Sequence, residues 1–313
     1  MVDAETVANA GRKLNVERVK NFKVREDDVF LVTFPKSGFS WMKEILPLVM
    51  NGGNIDKIKD IPPDVRVPYL EFALSVDTDE ASKKTQELLG VPEGFDVDAM
   101  KSPRTIGSHL RDDLLPKEID EKKAKVIYVA RNPKDVSVSI FHFCQLLLKG
   151  LSATNPELSP YEDFNEFFPD VVEIKRRAQA VVYDGSKWHE HVLPWWKRRH
   201  EKNVLFLKYE DMIKDLKAAV RQIAQFLEIE LTDEVVKTIS DYCSFDSMKK
   251  RQLSLKADFT QKFMKAKPNE SPFVRKGKVG GWKNYFTVAQ NESYDNAYRE
   301  WMKGSDLEMT FEG

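Results

Sequence analysis

Short, almost unbroken apolar runs alternate along this chain with longer segments whose apolar residues recur at helical spacing. That alternation predicts βαβ units around a parallel sheet, an α/β fold class. The clearest strand is Val29 to Phe34, VFLVTF, whose continuous apolar character suits a strand covered on both faces. Val126 to Ala130 and Val204 to Leu207 read the same way, and Arg104 to Gly107 reads as a further strand. Ser40 to Met50 predicts a helix, with Pro47 expected to kink it. Asn132 as N-cap and Pro133 in the first turn predict a helix running to about Lys149. Trp188 to Arg199, the segment that follows Lys208-Tyr209-Glu210-Asp211 and runs to about Leu227, and Leu231 to Tyr242 also read as helices, and a last one follows Thr287. Ser75 to Pro103 is polar and turn-rich, and Val274 to Gly281 is basic, glycine-rich loop.

Composition narrows the function classes. The chain has 313 residues, 42% hydrophobic and 32% charged, as a globular protein with a sizeable core should. Its 49 Lys and Arg against 50 Asp and Glu leave a net charge of −1. Neither nucleic acid nor an anionic membrane is expected as a partner, so any anion site must be local. Met1 to Asn21 has no apolar core for a signal peptide, and no stretch is long and apolar enough to span a bilayer. Cys144 and Cys243 are the only cysteines and belong to no metal-binding cluster; a reduced, cytoplasmic setting fits.

Three turns carry candidate chemistry. In TFPKSGFSW, Thr33 to Trp41, a buried strand passes through a glycine turn into a helix start. Backbone N–H groups, the helix N-terminus, Lys36 and the hydroxyls of Ser37 and Ser40 converge there, and Gly38 lets backbone approach an oxyanion. The result is P-loop-like, but the spacing is not that of a nucleoside-triphosphate P-loop. An ordinary strand-to-helix turn is the plain alternative. In YVARNPKDVSVS, Arg131 stands at a strand's carboxyl end, where open α/β sheets bind ligands, and its guanidinium suits bidentate contact with a phosphate. Ser139 follows about two helical turns later. The alternative is an Arg131–Asp135 surface ion pair. RKGKVGGW, Arg275 to Trp282, combines three cations with three glycines and could close over a phosphate or be a solvated turn.

Together with RVPYLEF, GSHLRDDLLP, VLPWWKRRH, LKYEDM and SFDSMKK, all in family order along the chain, these motifs closely resemble the cytosolic sulfotransferases. The resemblance runs from about Arg25 to Phe311. It implies one α/β domain over 25–313, a parallel sheet of about five strands flanked by helices, after an N-terminal extension over 1–24 that is partly ordered. It implies transfer of a sulfuryl group from 3′-phosphoadenosine 5′-phosphosulfate (PAPS) to a hydroxyl or amine of a small acceptor, without a metal, leaving 3′,5′-diphosphoadenosine (PAP). Lys36, Ser37, Gly38, Phe39, Ser40 and Trp41 would hold the phosphosulfate, Trp41 also stacking on adenine. Arg131, Ser139, Arg275, Lys276 and Gly277 would bind the 3′-phosphate. Ser244, Phe245 and Met248 would lie near the adenine, where His189 and Cys243 also align. His109 matches the catalytic base, with Lys36 and Ser139 assisting. Chemically, a neutral imidazole can take the acceptor's proton while Lys36 meets the charge that develops on the leaving oxygen. His191 and His200 read as solvated.

Lys283, Thr287, Val288 and Glu292 match the family's dimer motif and imply a weak homodimer. Tyr69, Phe72, Phe141 and His142 are acceptor-pocket candidates whose aromatic walls favour phenols, steroids or lipid-like alcohols. The variable acceptor segment, about 73–103, looks longer than usual. The chain departs from the family pattern in carrying His189 for a tyrosine, Cys243 for a threonine, Gly281 for an aspartate, Phe39 for a small residue, and Gly107-Ser108-His109 where a lysine and a threonine usually precede the histidine. A sulfation-driven dehydratase and a nucleotide-binding protein without catalysis are the alternative functions.

Overall fold

Alternate residues of each central strand pack on opposite faces of one sheet. The computed structural model describes residues 16–74, 95–152, 159–175, 178, 181–182, 184–255 and 277–313. Among them four strands form a parallel sheet, β1 (Val29–Thr33), β2 (Thr105–Ser108), β3 (Lys125–Ala130) and β4 (Val204–Lys208), in the order β2-β1-β3-β4. The fifth strand implied by the resemblance is not present among the described residues.

Phe30, Val32, Val126 and Tyr128 face one hydrophobic cluster, while Val29, Leu31, Ile127 and Val129 face another. Helix α1 (Phe39–Met50) belongs to the second cluster and α2 (Pro133–Leu151) to the first. A period-two strand with both faces buried explains the unbroken apolar runs. It also places the loops after β1 and β3 on adjacent strands but turns them to opposite faces. This is a topological switch point, where open α/β sheets form their ligand crevice.

Further helices complete both layers: α3 (Phe164–Glu173), α4 (Trp188–Lys197), α5 (Leu216–Leu227), α6 (Asp233–Tyr242), α7 (Phe245–Leu255) and α8 (Val288–Trp301). The helical stretch expected to end near Leu227 is two helices. Asp215 adopts an extended backbone and its side chain accepts from Ala218 N–H, capping α5 and ending the short helix Tyr209–Lys214. Helix α1 continues through Pro47. The carbonyl of Lys43, which proline leaves without its helical donor, accepts instead from Arg66 Nη1 at 3.3 Å. Arg66 is held in turn by buried Glu44 at 3.0 Å.

Residues before the expected domain start take part in the core. Val19, Phe22 and Val24 are buried in the first cluster. Arg104, fully buried before β2, bridges Asp28 through Nε at 2.8 Å and Nη2 at 2.6 Å. Two charges so deep are tolerable because each is multiply hydrogen-bonded. Among the described residues no helix is long and apolar enough to cross a membrane.

Candidate active site

The loop after β1 is shaped to receive an oxyanion. Lys36 adopts the left-handed region at φ 67°, and Gly38, at φ 112°, opens α1. A Cβ on Gly38 would lie 2.8 Å from Cδ2 of Tyr209, so only glycine fits both the dihedral and the space. Among the described residues, the buried Ser37 hydroxyl and Arg131 Nε have no hydrogen-bond partner. Two unsatisfied buried donors aimed around a glycine turn fit an anionic ligand. Arg131 donates through Nη1 to the Lys36 carbonyl at 3.2 Å and lies 4.5 Å over the Tyr209 ring. Trp188 Nε1 donates to the Arg131 carbonyl at 3.0 Å. The switch-point loops are thus tied to each other and to α4.

The alternative of an Arg131–Asp135 ion pair is not what forms. Asp135 is buried and accepts from the backbone N–H of Gly280 and of Trp282, each at 2.9 Å. It also lies 3.0 Å from Asn132 Nδ2. Asn132 is fixed by buried Glu210, which accepts from its backbone and its amide. Burial raises the Glu210 pKa, an effect Arg131 partly opposes. The glycine loop is therefore pinned to the start of α2. Gly277 sits at φ 59°, where a Cβ would meet the Phe245 ring at 2.1 Å. This contact brings the described end of the basic loop onto Ser244-Phe245. Arg275 and Lys276 lie outside the described residues.

Trp41 is half-buried, and its indole donates to the Cys243 carbonyl at 2.8 Å. Cys243 needs only its backbone for that bond, and burial pushes its thiol pKa up. Ser244 Oγ donates to Ser247, and Met248 is buried beneath. Ser40 is half-exposed in the first turn of α1. Ser139 is half-buried one helical turn before Phe143, over whose ring Lys36 Nζ stands at 4.3 Å. That spacing sets Lys36 along the face of α2 that carries Ser139. His189 stacks on Trp301 of α8, centroids 4.9 Å apart and planes 13° apart.

His109 follows β2 directly. Its Nδ1 lies 2.8 Å from the Thr33 carbonyl, which can only accept, so Nδ1 carries the proton and Nε2 is the basic nitrogen. Its backbone N–H donates to buried Glu71 at 2.9 Å, and its carbonyl accepts from His191 Nε2 at 3.1 Å. Burial pushes the His109 pKa down to about 3; the Thr33 carbonyl opposes this, while His191, Lys43 and Lys36 add to it. His191 is not solvated as its helical face suggested. It is fully buried, with Nδ1 accepting from Tyr128 at 2.8 Å. It braces the backbone at His109.

Of the pocket candidates, Tyr69 meets His109 directly at 5.1 Å between centroids, and Phe72 meets Tyr69 at 5.3 Å. Phe141 packs against Phe164 and Phe167 in the first cluster, and His142 Nε2 pairs with the Tyr285 hydroxyl at 2.7 Å. At the expected dimer motif, Thr287 caps α8 through Gln290, Lys283 pairs with Glu312 at 2.7 Å, Glu292 is exposed, and Val288 is 77% exposed.

Glu71, His191, Tyr209, Glu210 and Lys43 had no role assigned from sequence. The signal that could have found three of them was charge in segments that otherwise read as buried: Lys43 within an apolar helix, Glu71 in PYLEF, Glu210 after an apolar strand.

The sulfotransferase domain family matches residues 26–306. Sulfotransferase 1B1 of Canis lupus familiaris is 39% identical over 298 residues, covering 95% of this chain and 91% of that protein. Sulfotransferase 1E1 of Bos taurus is 38% identical over 291 residues, covering 93% and 88%. Among solved structures, mouse sulfotransferase SULT7A1 complexed with PAP superposes with a TM-score of 0.66 at 30% identity, covering 96% of this chain and 93% of that one. A retinol dehydratase in a complex with retinol and PAP superposes at 0.76 with 25% identity, covering 94% and 86%.

Proposed function

This chain belongs to the sulfotransferase family, and on that footing we propose that His109 is the base with which it moves a sulfuryl group from PAPS to the hydroxyl of a small, apolar acceptor. The observation that carries the role of His109 is its tautomer: with Nδ1–H given to the Thr33 carbonyl, Nε2 is left to take a proton beside the Tyr69 ring.

PAPS, when bound, supplies the sulfuryl group and carries away on its phosphate the electron pair of the broken S–O bond. The residues that would hold its phosphosulfate are Lys36 to Trp41, whose unsatisfied Ser37 hydroxyl and glycine opening fit an oxyanion. Arg131 and Ser139, with Arg275, Lys276 and Gly277, would hold the 3′-phosphate, and Ser244, Phe245 and Met248 the adenine. Lys36 meets developing negative charge, and its position along α2 supports exchange with Ser139. The acceptor oxygen bonds to sulfur and its proton passes to His109 Nε2. Glu71 and His191 hold the backbone of His109 in place for that transfer. His189, turned onto Trp301, is assigned no contact with the nucleotide.

The fit to a retinol dehydratase supports a second reading of the product: an allylic alcohol, once sulfated, would eliminate to a hydrocarbon. Product analysis separates this from a stable ester. The exposed Val288 beside capped Thr287 supports a weak homodimer. We also infer a cytoplasmic location, which cell fractionation would test, and a single domain whose core takes in residues from Val19 onward, with an acceptor segment over 73–103. Nucleotide specificity is tested by thermal-shift titration with PAP against ADP and AMP. Strong stabilisation by PAP alone is expected. An equal response to ADP would show that no 3′-phosphate is being read.

A further inference from the structure

Two of the chain's departures from its family meet in space. Gly107 stands on β2 two residues before His109, and a Cβ there would lie 2.2 Å from Cζ of Phe39. The Phe39 ring fills the space that a side chain at 107 would take. It is held on its other sides too. Tyr69 stacks on it with centroids 4.5 Å apart and planes at 16°, and His109 lies 4.7 Å away at 56°. Behind it, Lys43 Nζ stands 4.8 Å from the Phe39 ring and 3.9 Å over Tyr69, locked to Asp64 at 2.5 Å. Tyr69 is itself fixed through its backbone bridge to Gly107. A ring gripped in this way cannot swing aside for a substrate, since close-packed side chains have few alternative rotamers.

We propose that Phe39 is a specificity-determining residue: its ring, seated on Gly107 against both Tyr69 and His109, is a fixed wedge that admits to the base only acceptors whose hydroxyl has no bulk beside it. The acceptor class is flat phenols without ortho substituents, or primary alcohols at the end of an apolar chain. The inference rests on His109 being the base. Phe39 plays this part through its side chain, apart from any contact its backbone makes with the nucleotide.

The test is equilibrium binding of para-nitrophenol and of its ortho,ortho-dimethyl derivative to the PAP-saturated protein, with turnover of the unhindered phenol followed alongside. A ratio of two dissociation constants within one variant cancels any change in nucleotide affinity. The wild type should favour the unhindered phenol by about tenfold or more, the scale on which apolar sites reject extra methyl groups. Phe39→Ala should bring the ratio close to one. Gly107→Ala should weaken both phenols by displacing the ring, and the double variant should recover binding because the methyl then has room. Should Phe39→Ala not fold, Phe39→Leu is read in the same way. A ratio in the Phe39 single variants within about twofold of the wild type's overturns the wedge. A wild type that shows the binding preference but turns over no phenol would overturn the reading of the activity and leave the wedge standing.

Discussion

The parts of the site that we assign to the nucleotide and to the acceptor are built in different ways. The nucleotide side is a backbone construction: two strand-to-helix turns at a switch point, a left-handed lysine, a glycine with no room for a Cβ, and a loop pinned through Asp135. The acceptor side is a side-chain construction: Phe39 and Lys43 of α1 meet Tyr69 and His109 from elsewhere in the chain through ring contacts, and an ion pair to Asp64 anchors Lys43. Backbone geometry needs particular residues at fixed spacing, and so it writes a motif. Ring packing needs only complementary volumes, and substitutions can trade across the gap, as Phe39 and Gly107 do. One side can therefore stay constant while the other changes substrate.

The sharpest way to separate the two sides is His109→Ala. Turnover should fall about 10²–10⁴-fold, the usual worth of a positioned general base, while PAP affinity stays put. Steady-state rates beside a PAP thermal shift would show it, and full turnover in the variant would sink the assignment. Gly38→Ala should do the converse. Its strained φ and the Tyr209 contact set a cost of about 1–3 kcal/mol against the cradle, so PAP should bind roughly tenfold or more weakly by calorimetry. Asp135→Asn leaves the shape but removes the charge that holds the Gly280 and Trp282 N–H groups. A stability loss of about 1–3 kcal/mol in urea unfolding is expected, with weaker nucleotide binding because the loop is released.

Much of this contrast was legible in the sequence. The four strands, the capped starts of α2 and α8, and the turns at Lys36 and Arg131 all follow from apolar runs and N-cap chemistry. The break at Asp215 was missed because a capping residue inside a long helical pattern looks like surface charge. His191 was misread because helical periodicity ranks exposure by neighbours along the chain. Its partners, Tyr128 and the His109 carbonyl, come from other elements. The Phe39–Gly107 exchange was visible only as two unrelated departures, since sequence carries no distance between them.

Smaller effects sharpen the contrast further. With its folded-state pKa at about 3, His109 stays neutral through mild acid, so kcat/KM should show no descending limb near the ordinary histidine value of about 6.5. The sign for stability is opposite. As pH falls below about 6.5 the unfolded chain takes up protons that the buried His109 and His191 refuse, so the melting temperature should decline with acid. A limb at pH 6.5 in the rate profile would contradict a His109 ring whose pKa burial holds down. Smallest of all, Val288→Glu should shift any concentration-dependent dimer toward monomer in sedimentation without changing turnover per chain.

The measurement that bears most directly on the account is transfer of radiolabelled sulfur from PAPS to a panel of phenols and alcohols by the wild-type protein. Label appearing in an organic product or released as inorganic sulfate beside a dehydrated one, in step with PAP formation and absent with His109→Ala, is the expected result. Tight PAP binding with no label leaving PAPS for any acceptor would contradict it, and the chain would then be a nucleotide-binding protein built on a catalytic fold.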